Sequence, residues 1–230
     1  MSKSLVKSRN HLVYEGLKRK ILNLELIPGQ AISENEICQM FDVSRTPVRD
    51  AFWSLQEQGF IETIPYRGTY VTKLNYDEIK QLIYMRIAVE TNVICDFVDI
   101  ATPMILEEVR YLIRKQEAII QGKDFTAEQF YHLDSLMHEV WFGVTGKKKI
   151  WEVLQEAQVD YKRYRMLDLE TETNFTRIIK EHNGLFELIQ KKDKAGLTEA
   201  LKTHLSYNII RMKHHVEVEY KDYFEDNSDS

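Results

Sequence analysis

The sequence predicts a mainly α-helical chain, with two short helices and a small β-hairpin near the N-terminus followed by an all-helical bundle of about six helices. Three observations carry this prediction. Two short helical segments joined by a tight turn run directly into two β-type runs within residues 33–73. The texture changes at Lys73–Tyr76, after which nearly every segment has helical periodicity. No period of about 20–50 residues repeats, so a solenoid is not expected.

The N-terminal elements follow from local signals. A first helix is expected over Ser8–Leu22, with Leu12, Leu17 and Ile21 as its apolar stripe. Pro28-Gly29-Gln30 is a turn. Ser33-Glu34-Asn35-Glu36 has the form of a capping box and starts a short helix that ends at Phe41. Asp42-Val43 leaves room only for a tight turn. Ser44 is expected to cap the next helix, with Pro47 in its first turn, where the missing amide proton costs nothing. Ala51, Phe52 and Leu55 continue the buried face, and Gly59 ends the helix. Phe60–Ile64 and Thr69–Lys73 read as two strands around Pro65-Tyr66-Arg67-Gly68.

In the second part, Asn75-x-x-Glu78 caps a long helix to Ile100, and Thr102-Pro103 opens another that closes at Gly122. Thr126-x-x-Gln129 caps a third, ending near Gly146, and a single fourth helix is expected over Lys148–Leu167. The polar stretch Glu170–Asn174 leads to a fifth ending near Lys191, and Asp193 starts the last. The expected domains are 1–74 and 75–225, with a disordered tail over 226–230.

Composition narrows the classes. The chain has 230 residues and 43% hydrophobic residues, enough for two modest cores. No apolar run approaches the roughly 18 residues of a membrane span, and the first residues lack the apolar core of a signal peptide. Cys38 and Cys95 have no metal-type spacing and read as reduced thiols of a cytoplasmic protein. The net charge of −5 is unevenly placed: residues 1–74 carry ten Lys/Arg against eight Asp/Glu, and the remainder 21 against 28. The basic part is the part with the helix-turn-helix pattern.

That pattern, two short helices and a tight turn followed by a hairpin, describes a winged helix-turn-helix. One helix fits the major groove of B-DNA and presents its N-terminal side chains to base edges. Here the second helix begins Ser44-Arg45-Thr46-Pro47-Val48-Arg49. Arg45 and Arg49, four apart, share a face, and an Arg fork suits guanine O6 and N7. Thr46 can donate to a phosphate, and the helix start at Ser44 favours one. Arg67 and Gly68 at the hairpin tip suit a minor-groove or backbone approach. The run AISENEICQMFDVSRTPVRDAFWSLQEQGFIETIPYRGTYV resembles the DNA-binding domain of the GntR family of bacterial regulators. The resemblance implies that Ser44, Arg45, Thr46, Arg49, Arg67 and Gly68 touch DNA. Asn35 stands where many members carry Arg, so an operator sequence is not carried over.

In the second part, Asp134 and His138 are four apart on one helix and so point one way. With His182 and His204 they form a set that suits zinc, nickel or manganese and leaves coordination positions open. Spacing leaves the alternative of separate packing roles for these histidines; His11, His132, His214 and His215 read as surface or packing residues. Residues 77–222 resemble the ligand-sensing domain of the FadR branch of the same family, called FCD. The resemblance rests on Arg86-x-x-x-Glu90, Asp134-x-x-x-His138, Glu181-His182 and Asp193 followed by His204-Leu205, and its details are similar to the VanR-like subgroup. It implies a divalent metal, zinc first, on Asp134, His138, His182 and His204. It also implies a small carboxylate effector near the metal and an arginine. Arg86 is the first candidate, with an ion pair to Glu90 as its alternative role, and Arg163 or Arg165 the second.

The expected function is a transcriptional repressor that binds a palindromic operator as a homodimer and leaves it when an organic acid binds. The rivals are a metal-dependent enzyme using the Asp/His set, and a DNA-binding dimer that senses no small molecule. No catalytic residue is assigned.

Overall fold

The computed structural model describes residues 3–122, 125–168 and 172–225, so the expected 226–230 tail lies outside the described residues. The chain divides into two compact units. Among the described residues, one comprises 3–76, 159–166 and 214–225; the other comprises 77–122, 125–158, 167–168 and 172–213.

The first unit opens with α1 (Lys3–Leu22). Its buried stripe is Val13, Leu17 and Ile21, and Leu12, expected in that stripe, is 56% exposed. Positions 13, 17 and 21 repeat at i+4, and Leu12 falls about 100° away around the helix. Ser33 caps α2 (Glu34–Phe41) in a complete capping box: Glu36 N donates to Ser33 Oγ at 3.2 Å, and Ser33 N to Glu36 Oε2 at 3.0 Å. Asp42, in the left-handed region at φ 49°, ends α2 and makes the tight turn. Ser44 takes the N-cap position of α3 (Arg45–Glu57), but its side chain makes no capping bond there. The hydroxyl expected to cap is therefore left at the surface. Val48, Ala51, Phe52 and Leu55 of α3 are buried with α1 and Ile37 of α2 in one apolar cluster.

The hairpin is β2 (Ile61–Ile64) and β3 (Gly68–Val71), antiparallel, with Ile64 opposite Gly68. Arg67 N donates to Ile64 O at 3.0 Å across the tip, and Tyr66 has a φ of 64°. A further strand, β1 (Ala31–Ile32), pairs with β3 and gives the order β1-β3-β2. Two residues are too few for an alternation to be read, so this strand is not visible in the sequence.

The same unit takes in residues from far along the chain. Residues 159–166 of helix α8 (Val159–Asp168) and residues 214–225 group with it. Arg163 of α8 is fully buried and donates from Nη1 to Thr72 O at 2.7 Å and from Nη2 to Thr72 Oγ1 at 3.1 Å; it also pairs with Asp160. Asp160 Oδ2 accepts from Asn75 N at 2.9 Å. Leu74 N donates to Tyr223 O, Glu225 N donates to Leu74 O, and Tyr76, Tyr164 and Phe224 pack ring against ring. The simple boundary after residue 74 is thus replaced by a unit built from three chain segments. Local periodicity carries no information on such long-range docking.

The second unit is all helical among the described residues. Its elements are α4 (Tyr76–Ile100, from Asp77), α5 (Pro103–Ile119), α6 (Ala127–Val144), α7 (Lys148–Glu156), α9 (Glu172–Lys191) and most of α10 (Lys194–Val218). Thr102 and Thr126 cap α5 and α6 as expected, and Asp193 Oδ1 accepts from Gly196 N at 2.9 Å. The single helix expected over Lys148–Leu167 is two, α7 and α8, separated at Ala157-Gln158. Its halves serve different units, which a continuous helical pattern does not reveal. Phe97, Trp141, Phe142, Leu197 and Leu201 are at the centre of the core.

Arg163→Met leaves Asp160 without its guanidinium and Thr72 O without its donor. Loss of one partner of a buried pair is expected to cost about 3 kcal/mol. Urea unfolding of the full chain checks it, and an unchanged midpoint would show that this contact contributes nothing.

Candidate functional site

Three helices of the second unit bring four polar residues to one place. The i,i+4 spacing on α6 turns Asp134 and His138 inward together. Helix α9 supplies His182 and α10 supplies His204. Each of the four offers a ligand atom, and these atoms all lie within 4.8 Å of one another. Asp134, His138 and His182 are buried, and the His204 side chain is 7% exposed.

The surroundings fix which ring nitrogen faces the centre. His138 Nδ1 lies 2.6 Å from Glu90 Oε2, His182 Nδ1 lies 2.7 Å from Gln116 Oε1, and His204 Nδ1 lies 2.8 Å from Glu181 Oε2. A carboxylate or amide oxygen only accepts, so each Nδ1 donates and each neutral ring keeps its lone pair on Nε2. His182 Nε2 stands 3.4 Å from Asp134 Oδ1. His138 Nε2 is buried and has no hydrogen-bond partner among the described residues. A native interior seldom leaves such an acceptor unsatisfied. Three imidazole nitrogens and a carboxylate, each ring oriented by an outer acceptor, are a donor set that fits a divalent metal ion.

The outer partners are themselves held. Arg86 Nε donates to Glu90 Oε1 at 2.5 Å, and both side chains are buried. Burial alone would raise the Glu90 carboxyl, but the charge of Arg86 and the hydrogen bonds from His138 and Arg86 outweigh it and bring it down to about 2. Burial would likewise raise Glu181; its bonds to His204 and Arg177 reverse the direction and keep it ionised. Burial depresses His204, opposed by its hydrogen bond to Glu181.

Of the residues singled out in the sequence for this site, the structure brings together Asp134, His138, His182 and His204, and it joins Arg86 to them through Glu90. It does not bring Arg163: that side chain is in the other unit, spent on Thr72 and Asp160. Arg165 is also on α8, with its guanidinium over the Tyr161 ring. Gln116 was missed, because a lone glutamine on a helix gives no signal. Glu90 and Glu181 stood within noted motifs, but nothing in the sequence gave them the task of orienting an imidazole.

In the first unit, Ser44, Arg45, Thr46 and Arg49 are exposed at the start of α3, and Arg67 and Gly68 are exposed at the hairpin tip. Arg45 Nη2 donates to Asn35 Oδ1 at 3.0 Å, and Arg49 Nε donates to both oxygens of Glu34 at 2.9 and 3.0 Å.

A winged helix-turn-helix with basic side chains at the head of its second helix, accompanied by a helical unit with a buried Asp/His₃ cluster, defines a DNA-binding regulator with a sensing domain. Residues 10–71 match the bacterial regulatory proteins of the gntR family and residues 81–207 match the FCD domain; the chain belongs to the GntR family and carries an FCD domain. It is 28% identical over 200 residues to the HTH-type transcriptional repressor RspR of Escherichia coli K12, covering 85% of each chain. It is 25% identical over 207 residues to the gluconate operon transcriptional repressor of Bacillus subtilis, covering 88% of this chain and 83% of that one. The fold is similar to that of E. coli McbR/YncC, with a TM-score of 0.71 at 19% identity over 90% of this chain and 98% of that one. A GntR regulator from Rhodococcus sp. RHA1 has a TM-score of 0.70 at 20% identity, again over 90% and 98%. The chain is therefore a DNA-binding transcriptional regulator, in a family of regulators and not of enzymes. Among the described residues no helix is long and apolar enough to cross a membrane.

Glu90→Ala would leave the Arg86 guanidinium buried without its carboxylate and His138 Nδ1 without an acceptor. The expected loss of stability is about 3 kcal/mol or more. Denaturant unfolding measures it, and a loss under about 1 kcal/mol would contradict the orienting role.

Proposed function

We propose that the protein is a repressor that binds a palindromic operator as a homodimer and is released by a small organic acid sensed at a metal site. The observation that carries the sensing half is the Asp134–His138–His182–His204 cluster. Its three rings are each turned by an acceptor on Nδ1, and His138 Nε2 is buried without a hydrogen-bond partner among the described residues. That arrangement argues against histidines that merely pack. The four side chains are assigned to a divalent ion, with zinc favoured by three imidazoles and one carboxylate, and nickel or manganese compatible with the same donors. When bound, such an ion supplies a coordination position for a carboxylate oxygen. Glu90, Gln116 and Glu181 hold the Nδ1 protons in place, so that the rings meet a ligand without reorganising. Arg86, anchored through Nε by Glu90, is the cation assigned to the effector's carboxylate.

For DNA, Ser44, Arg45, Thr46 and Arg49 are assigned to the major groove and backbone, and Arg67 and Gly68 to the hairpin's approach. A palindrome read by two such helices requires a twofold axis, hence a homodimer. Relatives bearing the name of repressor support that sign of regulation. The effector shifts the DNA equilibrium by its difference in affinity between the two states.

His182→Ala is expected to reduce metal content severalfold in protein purified without chelator, with DNA binding kept in part. Elemental analysis reads it, and unchanged stoichiometry would remove the site. Arg49→Ala is expected to weaken binding to a selected operator duplex by about tenfold or more and to relax one base preference. Gel-shift titration against bulk duplex is the check, and intact specific affinity would overturn the recognition-helix assignment.

A further inference from the structure

We propose that Glu34 is a positioning residue for sequence reading: its carboxylate holds Arg49 by Nε, so that the terminal Nη nitrogens are the edge offered to a base. This rests on the assignment of Arg49 to DNA made above. Glu34 is the first residue of α2, and both its carboxylate oxygens accept from the single Nε–H of Arg49, at 2.9 and 3.0 Å. The Arg49 side chain is 63% exposed and that of Glu34 33%, so the pair sits at the surface with the carboxylate on the inner side. A guanidinium has five N–H donors in a fixed plane. With Nε–H engaged by the protein, the four on Nη1 and Nη2 remain as the outward fork, and that fork matches guanine O6 and N7. A long side chain held before binding also loses less rotamer freedom when it docks.

The charge of Glu34 has a second consequence. A carboxylate beside the fork repels phosphate, and the repulsion acts on every duplex alike. The hydrogen bond it makes helps only where Arg49 finds its base. Glu34 therefore lowers affinity for bulk DNA while sharpening the choice of sequence, the way specificity is raised by penalising the wrong partner. An ordinary exposed ion pair contributes little and would do neither. The next residue differs: Asn35 Oδ1 accepts from Arg45 Nη2, a terminal nitrogen, at 3.0 Å. The head of α2 thus contacts both arginines of the reading helix, and only Arg49 is held by Nε.

The test uses the full-length protein, a duplex enriched by the wild-type protein from a random pool, and bulk duplex. Glu34→Ala is expected to lower the ratio of enriched to bulk affinity about tenfold, with bulk affinity raised. Glu34→Gln keeps an acceptor without the charge, so part of the ratio is expected to return while bulk affinity stays raised. In the Arg49→Ala background, Glu34→Ala should change the ratio less than about twofold. A selection repeated with Glu34→Ala should lose preference at the same base as Arg49→Ala. If Arg49→Ala lowers the ratio and Glu34→Ala does not, the proposal fails and the DNA assignment stands. An equal drop on both backgrounds also overturns it. If Arg49→Ala itself leaves the ratio intact, both fail. Should Glu34→Ala melt early, Glu34→Gln decides, since wild-type values for both ratio and bulk affinity overturn the proposal.

Discussion

The sensing unit depends on one constraint: three buried imidazoles must each donate an Nδ1–H hydrogen bond to an acceptor on another helix so that Nε2 faces a common centre. His138 reaches from α6 to Glu90 on α4, His182 from α9 to Gln116 on α5, and His204 from α10 to Glu181 on α9. These bonds tie five helices around one point. A buried acid is costly unless its charge is answered, and Arg86 and Arg177 answer Glu90 and Glu181. The cluster is thus a polar core inside an apolar bundle, with Phe97, Trp141 and Phe142 in the hydrophobic packing of the same unit.

The DNA-binding unit obeys a different constraint. Helices α2 and α3 and the hairpin supply a small core, which α1 completes with Val13, Leu17 and Ile21. Below it, Arg163 on α8 satisfies the carbonyl of Thr72, just beyond the last strand, and Asp160 receives the amide of Asn75. Residues separated by 85 to 91 positions therefore finish the base of the wing unit. An arginine that by sequence was a second candidate for the effector clamp, after Arg86, is consumed by this work.

Much of the architecture was legible in advance. The capping box at Ser33, the tight turn at Asp42 and the hairpin around Pro65-Tyr66-Arg67-Gly68 are written in residues a few positions apart, and each appears where local chemistry demands it. The Asp134/His138 pair was legible because helical spacing alone sets its direction. Leu12 illustrates the limit: an apolar residue near the stripe is not in it, and only packing against α3 selects Val13 instead. The expected helix over residues 148–167 failed for a related reason, since a periodic pattern continues across Ala157-Gln158 although the chain does not.

Sequence alone determined the fold class, the family, and the faces that Arg45 and Arg49 share and that Asp134 and His138 share, because helical periodicity, capping and motif spacing are short-range properties. Only the tertiary structure decided which nitrogen of each histidine looks inward, that Glu90, Gln116 and Glu181 turn it, and that Arg163 braces Thr72. Those outcomes depend on which helices meet and at what rotation, and contacts between positions tens of residues apart leave no local trace in the order of residues.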